Sequence, residues 1–191
     1  MKRKGALEGL RVLDLTRVLA GPFCTMMFAD MGAEIIKIEQ AGTGDDTRQM
    51  GPFKNGESAY FMNLNRNKKG VTLNLKNPKG KAIFLDLVKQ ADVVIENFRP
   101  GTMEKLGLGY DDLKKVNPAI VYAAISGFGH TGRYSQRPGY DIISQAMSGL
   151  MSTTGWPGGE PTRTGTAMGD VLGGLSCAIG ILAAVFNKIQ T

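Results

Sequence analysis

An aspartate set among glycines is the strongest chemical signal in this chain. Gly169-Asp170-Val171-Leu172-Gly173-Gly174 opens a long apolar helical pattern, which places Asp170 at the start of a helix. One reading is an N-cap, a position that aspartate fills well. The other is a carboxylate nucleophile held at the positive end of the helix. The flanking glycines would let a substrate approach and expose backbone N–H groups to a developing oxyanion. A carboxylate that attacks a thioester forms a mixed anhydride, which is covalent catalysis. No serine or cysteine with a base beside it competes for the role. The single histidine, His130, removes most zinc sites and argues against a histidine-based triad. Cys24 and Cys177 are far apart in sequence, lie in apolar helical patterns and form no CxxC. They read as reduced, buried thiols, and so point to the cytoplasm.

The second signal is charge. The 191 residues carry a formal net charge of +6, which favours an anionic partner. Between Ser58 and Leu85 there is no acidic residue, while Arg66, Lys68, Lys69, Lys76, Lys79 and Lys81 all fall there. No nucleic-acid motif accompanies them and no aromatics interleave with them, so nucleic acid is not expected. A solvated basic face and a site for a polyphosphate small molecule both remain open.

The elements that must position these groups alternate. Leu10 to Leu15 reads as a strand, Pro22 as the first residue of a helix that Gly32 ends, and Glu34 to Glu39 as the next strand. That is a βαβ unit, which implies a parallel sheet. Gly42 to Asn67 reads as a long polar loop. Val71 to Leu75 is a strand, and Asn77-Pro78 caps and starts a helix. Asp92 to Glu96 and Ala119 to Ser126 are further strands, the last apolar enough to be covered on both faces. Short helices are expected at Met103 to Leu106 and Tyr110 to Val116. Tyr140 to Met151 is a longer one, and Val171 to Lys188 the last. Residues 155 to 174 hold seven glycines, a backbone built for close approach. With 42% hydrophobic and 21% charged residues, disorder and low complexity are excluded. No uninterrupted apolar run reaches the roughly 20 residues of a membrane span. Met1-Lys2-Arg3-Lys4 is basic with no apolar stretch after it, so no signal peptide is expected. The fold class expected is α/β, an open, mainly parallel sheet of Rossmann-like type with helices on both faces, in one domain.

In such a sheet, ligands bind beyond the C-terminal ends of the strands. The segments there are Thr16 to Gly21, Gln40 to Asp46, Asn97 to Gly101 and Ser126 to Gly132. Neither GxGxxG nor GxxxxGK[ST] occurs among them, which argues against a dinucleotide site or a P-loop.

Taken together, the stretches LEGLRVLDLTRVLAGPFCTMMFADMGAEIIKIE, GDDTR, NRNKKGVTLNLK, ADVVIENFRPG, MEKLGLGYDDL, NPAIVYAAISGFGHTG, RPGYDIISQAMSG and GDVLGG cover nearly the whole chain in one order. This series resembles the N-terminal half of a family III CoA-transferase. The resemblance implies that Asp170 is the nucleophile, forming first an aspartyl-acyl anhydride and then an aspartyl-CoA thioester before CoA passes to an acceptor carboxylate. It implies that CoA lies along Leu19 and Ala20, along Leu73, Asn74, Leu75 and Lys76, along Asn97, Phe98 and Arg99, at Lys105, and along Arg137, Pro138, Gly139 and Tyr140. CoA and acyl-CoA are then substrates, with no tightly bound cofactor and no metal. Gln40 and Lys105 stand where some members carry arginines, so the phosphates are expected to lean on Lys68, Lys69 and Lys76. Acyl-CoA racemases share the fold but use a histidine where this chain has Tyr140, which disfavours that alternative. A non-catalytic CoA-binding half-protein is the third reading. Members are roughly twice this long and form interlocked dimers, so a second copy or a complementing C-terminal half is the implied partner. The run from Leu7 to Arg48 looks most like members that use dicarboxylates such as succinate or glutarate.

Overall fold

The computed structural model describes residues 5–191, so the basic Met1 to Lys4 lies outside the described residues. Five parallel strands form the sheet: β1 (Arg11–Asp14), β2 (Glu34–Glu39), β5 (Lys69–Thr72), β6 (Val93–Glu96) and β7 (Val121–Ala124). Their order is β5-β2-β1-β6-β7. The chain runs outward in one direction from β1 and then in the other, so the connections diverge between β1 and β6. A crevice opens where strand order reverses in this way.

Alternation along the strands builds two cores. Val12, Ile35, Val93 and Ile95 face α1 (Ala20–Asp30) and α7 (Met168–Gln190), meeting Cys24, Phe28, Ala178 and Ile181. Leu13, Ile38 and Val94 face the other way, onto α3 (Pro78–Val88), α4 (Thr102–Lys105) and α5 (Tyr110–Val116) through Phe84, Val88, Met103 and Leu113. Asn77 caps α3, its side chain accepting the Lys79 N–H at 2.9 Å, with Pro78 in the first helical position.

Several expectations need correction. Pro22 is the third residue of α1, which begins at Ala20; its missing N–H costs nothing there, because first-turn N–H groups have no partner within the helix. The stretch from Gly42 to Asn67 is not all loop. It holds a 3-10 turn (Asp46–Gln49), a two-stranded hairpin of β3 (Phe53–Lys54) and β4 (Glu57–Ser58), and α2 (Ala59–Leu64). Ser58 starts α2 by accepting the Phe61 N–H at 3.1 Å. β5 lies two residues earlier than expected, which leaves Leu73 to Lys76 beyond the strand end. β7 is an edge strand and all four of its residues are partly exposed, not covered on both faces. α6 (Asp141–Met147) is shorter than expected, and a separate 3-10 turn follows at Leu150–Thr153.

α7 begins at Met168, three residues before the expected start, with Ala167 as its cap. Asp170 is therefore a first-turn residue and not the N-cap. This helix of 23 residues is long and apolar enough to cross a membrane by length and composition. Its apolar pattern is not an unbroken run, because Asp170, Ser176, Asn187 and four glycines interrupt it. In the structure Gly174, Ala178 and Ile181 are buried against the domain, while Leu172, Ile179, Phe186 and Ile189 are exposed. The close approach that the glycines promised is real at Gly174, where an added Cβ would stand 2.5 Å from the Ala20 carbonyl oxygen.

Candidate active site

The strand ends at the sheet's switch point enclose a cleft of about 350 Å³. Leu15, Thr16 and Arg17 after β1 form one side. Gln40, Ala41, Gly44 and Asp45 after β2 form another. Leu73 to Lys76 after β5, and Phe98, Thr102 and Leu106 after β6, complete the wall. The size is that of a small-molecule site.

Buried charges hold these walls. Lys37, on β2, donates to Asp45 Oδ2 at 2.8 Å and to the Thr16 carbonyl at 2.7 Å. Asp45 also accepts the Val18 N–H at 3.2 Å. Its own N–H goes to Glu39 Oε2 at 2.8 Å, and Arg48 clamps the same carboxylate at 2.7 and 2.8 Å. The GDDTR stretch is thus folded back onto the end of β2. On the opposite side Asn97 accepts the Arg17 N–H at 2.9 Å and donates to the Arg17 carbonyl at 2.7 Å. Between these ties Val18 adopts φ 68°, a left-handed conformation that a β-branched residue rarely takes.

The basic stretch divides differently from the sequence expectation. Lys68 is buried and paired with the buried Asp14 at 3.1 Å. It also donates to the Pro22 carbonyl and to Asn65 Oδ1, at 3.0 and 2.9 Å. Burial alone would raise the Asp14 carboxyl; the charges of Lys68 and Lys37 and the hydroxyls of Thr16 and Thr25 outweigh it and hold the carboxyl at about 2. Lys69 pairs with Glu34 at 2.6 Å, at the far end of β2 from the cleft. Arg66 pairs with Asp30. Lys68 and Lys69 are therefore committed elsewhere, and of the three lysines expected to meet phosphates only Lys76 lines the cleft.

Leu73, Asn74, Leu75 and Lys76 come together with Phe98 and Gln40 around the cleft. Asn97 spends its side chain on the β1 loop, and Arg99 follows it on the exposed rim. Lys105 is exposed on α4 between the lining residues Thr102 and Leu106. Leu19 and Ala20 form the start of α1, against Gly174 of α7. Arg137 to Tyr140 do not line the cleft. Gly139 presses on Gly127, where an added Cβ would come within 2.5 Å, Arg137 stacks on Tyr134 at 4.3 Å, and Tyr140 is 75% exposed.

Asp170 lies in the first turn of α7, whose start is fixed by α6. Asp141 Oδ1 accepts the Gly169 N–H at 2.7 Å, while Oδ2 accepts from Gln145 Nε2 at 2.7 Å. Gln145 is itself buried and accepts the Thr164 N–H at 2.9 Å, tying the preceding loop to α6. Burial, and then the Asp141 charge, push the Asp170 carboxyl above the usual aspartate range. Tyr60, on α2, lies within electrostatic reach of both Asp170 and Asp45, and with burial their charges raise its phenol. Sequence reading missed it, because its helix fell in the supposed loop; the signal available was Ser58 as a cap before the apolar run Ala59 to Met62. Cys24 and Cys177, distant in sequence, meet across α1 and α7, and the neighbouring thiol, with burial, raises the Cys24 thiol so that it stays protonated.

The chain is 50% identical over 191 residues to the acetyl-CoA:oxalate CoA-transferase of Acetobacter aceti, covering 100% of this chain and 49% of that protein. It is 51% identical over 186 residues to the succinyl-CoA:glutarate CoA-transferase of Mus musculus, covering 97% of this chain and 43% of that one. The crystal structure of a CAIB/BAIF family protein from Brucella suis superposes with a TM-score of 0.94 at 42% identity, over 98% of this chain and 51% of that chain. The chain thus spans about half the length of the relatives it matches. The family model for CoA-transferase family III matches residues 7–191. Over nearly its whole length, this chain belongs to CoA-transferase family III.

Proposed function

We propose that this chain supplies the coenzyme cleft and the nucleophile of an enzyme that moves CoA from an acyl-CoA donor to a carboxylate acceptor. The observation that carries the reading is Asp170, half-buried in the first turn of a helix whose start a second carboxylate holds in place. A carboxylate there attacks the thioester carbonyl of the donor. The C–S bond breaks, CoA leaves as thiolate, and an aspartyl-acyl anhydride remains. The thiolate then attacks the aspartyl carbonyl and expels the donor acid, giving an aspartyl-CoA thioester. The acceptor carboxylate repeats the two exchanges and departs as its CoA thioester, leaving Asp170 free. The N-terminal turn of α7 favours the carboxylate and stabilises negative charge on the tetrahedral intermediates.

The cleft suits the coenzyme. Leu73, Leu75, Phe98 and Leu106 offer apolar contact, and Lys76 on the same wall is a compact charge for phosphate. Oxalate and glutarate, the acceptors in the relatives' names, support a dicarboxylate acceptor. Tyr140 in place of a histidine gives no acid–base pair for racemisation.

Residues 1–191 would then act as one segment of a larger assembly, a cytoplasmic homodimer or a pair with a complementing chain. The exposed apolar face of α7 supports an assembly, because a partner chain would cover it. Intact-mass analysis with acyl-CoA donors and a dicarboxylate tests the reading. An aspartyl adduct that Asp170→Asn abolishes is the expected result; transfer retained by that variant would remove Asp170 from the mechanism.

A further inference from the structure

Glu96 is the last residue of β6, an interior strand between β1 and β7, and is buried. Four groups face it. The Phe98 N–H donates to its Oε2 at 2.6 Å. The Tyr122 hydroxyl, from β7, donates to Oε1 at 3.2 Å. His130 Nε2, from the loop after β7, stands 3.7 Å from the same oxygen. Glu104, on α4, adds a like charge. Phe98 lines the cleft, and His130 belongs to the loop whose Gly127 presses on Gly139, two residues before Asp141. One buried carboxylate therefore ties the coenzyme wall to the segment that leads into the start of α6.

We infer that Glu96 is a positioning residue for coenzyme binding, holding the 97–101 wall through Phe98 and the 126–132 loop through His130, and that the strength of this hold depends on its protonation. Burial, with the Glu104 charge, raises its carboxyl to about 7. The ionised carboxylate accepts the Phe98 N–H in a charge-assisted bond. Protonation on the acid side weakens that bond, because a neutral acid is a poorer acceptor than a carboxylate. The wall is then held less firmly as pH falls through neutrality.

The inference rests on the cleft being the coenzyme site, so its test has one arm with coenzyme and one without. In the assembled transferase, KM for acyl-CoA and kcat are measured from acid to alkaline pH for wild type, Glu96→Gln and Glu96→Ala. Losing the charge-assisted bond should raise KM in Glu96→Ala about tenfold at alkaline pH, with kcat little changed. Glu96→Gln keeps an acceptor of the same shape and should show the acid-side KM of wild type at every pH. The phosphomonoester of CoA titrates near pH 6 in all three proteins, so the difference between wild type and Glu96→Gln isolates Glu96. In the second arm, amide hydrogen exchange of residues 97–101 is followed without ligand. Exchange should be faster in Glu96→Ala than in wild type, with Glu96→Gln between them. Identical pH profiles of KM for wild type and Glu96→Gln, or identical exchange in all three proteins, would overturn the inference. Altered exchange together with no acyl-CoA turnover by wild type would support the tie and reject the coenzyme reading instead.

Discussion

Asp141 Oδ1 accepts the backbone N–H of Gly169 at 2.7 Å, one residue before Asp170. The same carboxylate fixes the turn that presents the nucleophile candidate and raises its proton affinity through space. Asp141→Asn should separate the two effects. Asparagine still accepts the Gly169 N–H but carries no charge, so the acid limb of the kcat/KM profile should move to lower pH. Asp141→Ala should lose the turn as well, lowering kcat/KM across the whole profile by about tenfold or more. An acid limb unmoved in Asp141→Asn would show that the two carboxylates do not interact.

Asp170→Asn should be inactive and no less stable than wild type. The raised carboxyl means that folding disfavours its ionised form. With the folded value above the unfolded one, wild type loses stability as pH rises through that window. The amide escapes the penalty, so melting at neutral pH should be unchanged or slightly higher. A clear fall in melting temperature would mean that the Asp170 charge has a stabilising partner.

Lys68 and Lys76 should behave oppositely on replacement. Lys68→Ala removes the ion-pair partner of buried Asp14 and leaves only the more distant Lys37 charge, which costs up to about 3–5 kcal/mol, and the loss should appear as lowered melting temperature. Lys76→Ala should fold normally and bind acyl-CoA more weakly, with the deficit shrinking as salt is raised. The Asp14 pair also predicts acid sensitivity. Its carboxyl is depressed from the usual aspartate value of 3.8 to about 2. About 2 kcal/mol of stability is therefore complete above pH 3.8 and is lost as pH falls through 2. Coenzyme affinity that falls with Lys68 but not with Lys76 would reverse these assignments.

The uncovered side of α7 should drive association. Ile179 is 70%, Phe186 64% and Ile189 75% exposed. Burial of each is worth roughly 1.5–3 kcal/mol, so together they approach the stability of a whole domain. Sedimentation of the purified 191-residue chain should show self-association, and turnover should require added protein to complete it. A stable, fully active monomer would refute both expectations.

Sequence made the parallel sheet legible. Glu34 to Glu39 was placed at its true limits because turn residues bound its apolar run, and Asn77-Pro78 marked a helix start through local chemistry. Of the residues that the resemblance implies for coenzyme, Leu73 to Lys76 and Phe98 line the cleft. The basic window misled, because the acids that neutralise it lie on other elements. Asp14, Asp30 and Glu34 are between 35 and 54 residues away from Lys68, Arg66 and Lys69, respectively. Local charge counts see no such pairing. Glu96 was likewise read only as the end of a strand; its importance lies in the Tyr122 and His130 that the fold brings to it.

Val18 bears on how the molecule is assembled over time. Its left-handed backbone costs of order 1–3 kcal/mol and persists only where surrounding structure over-determines it. The ties are Asn97 at the end of β6, acting on Arg17, and Asp45 beyond β2, acting on Val18 itself. Neither exists until those strands lie beside β1. The loop between β1 and α1 is therefore short in sequence but late in folding, closing after the sheet has formed around it. Relief of the backbone cost in Val18→Gly would then act after the transition state, slowing unfolding while leaving the folding rate nearly untouched.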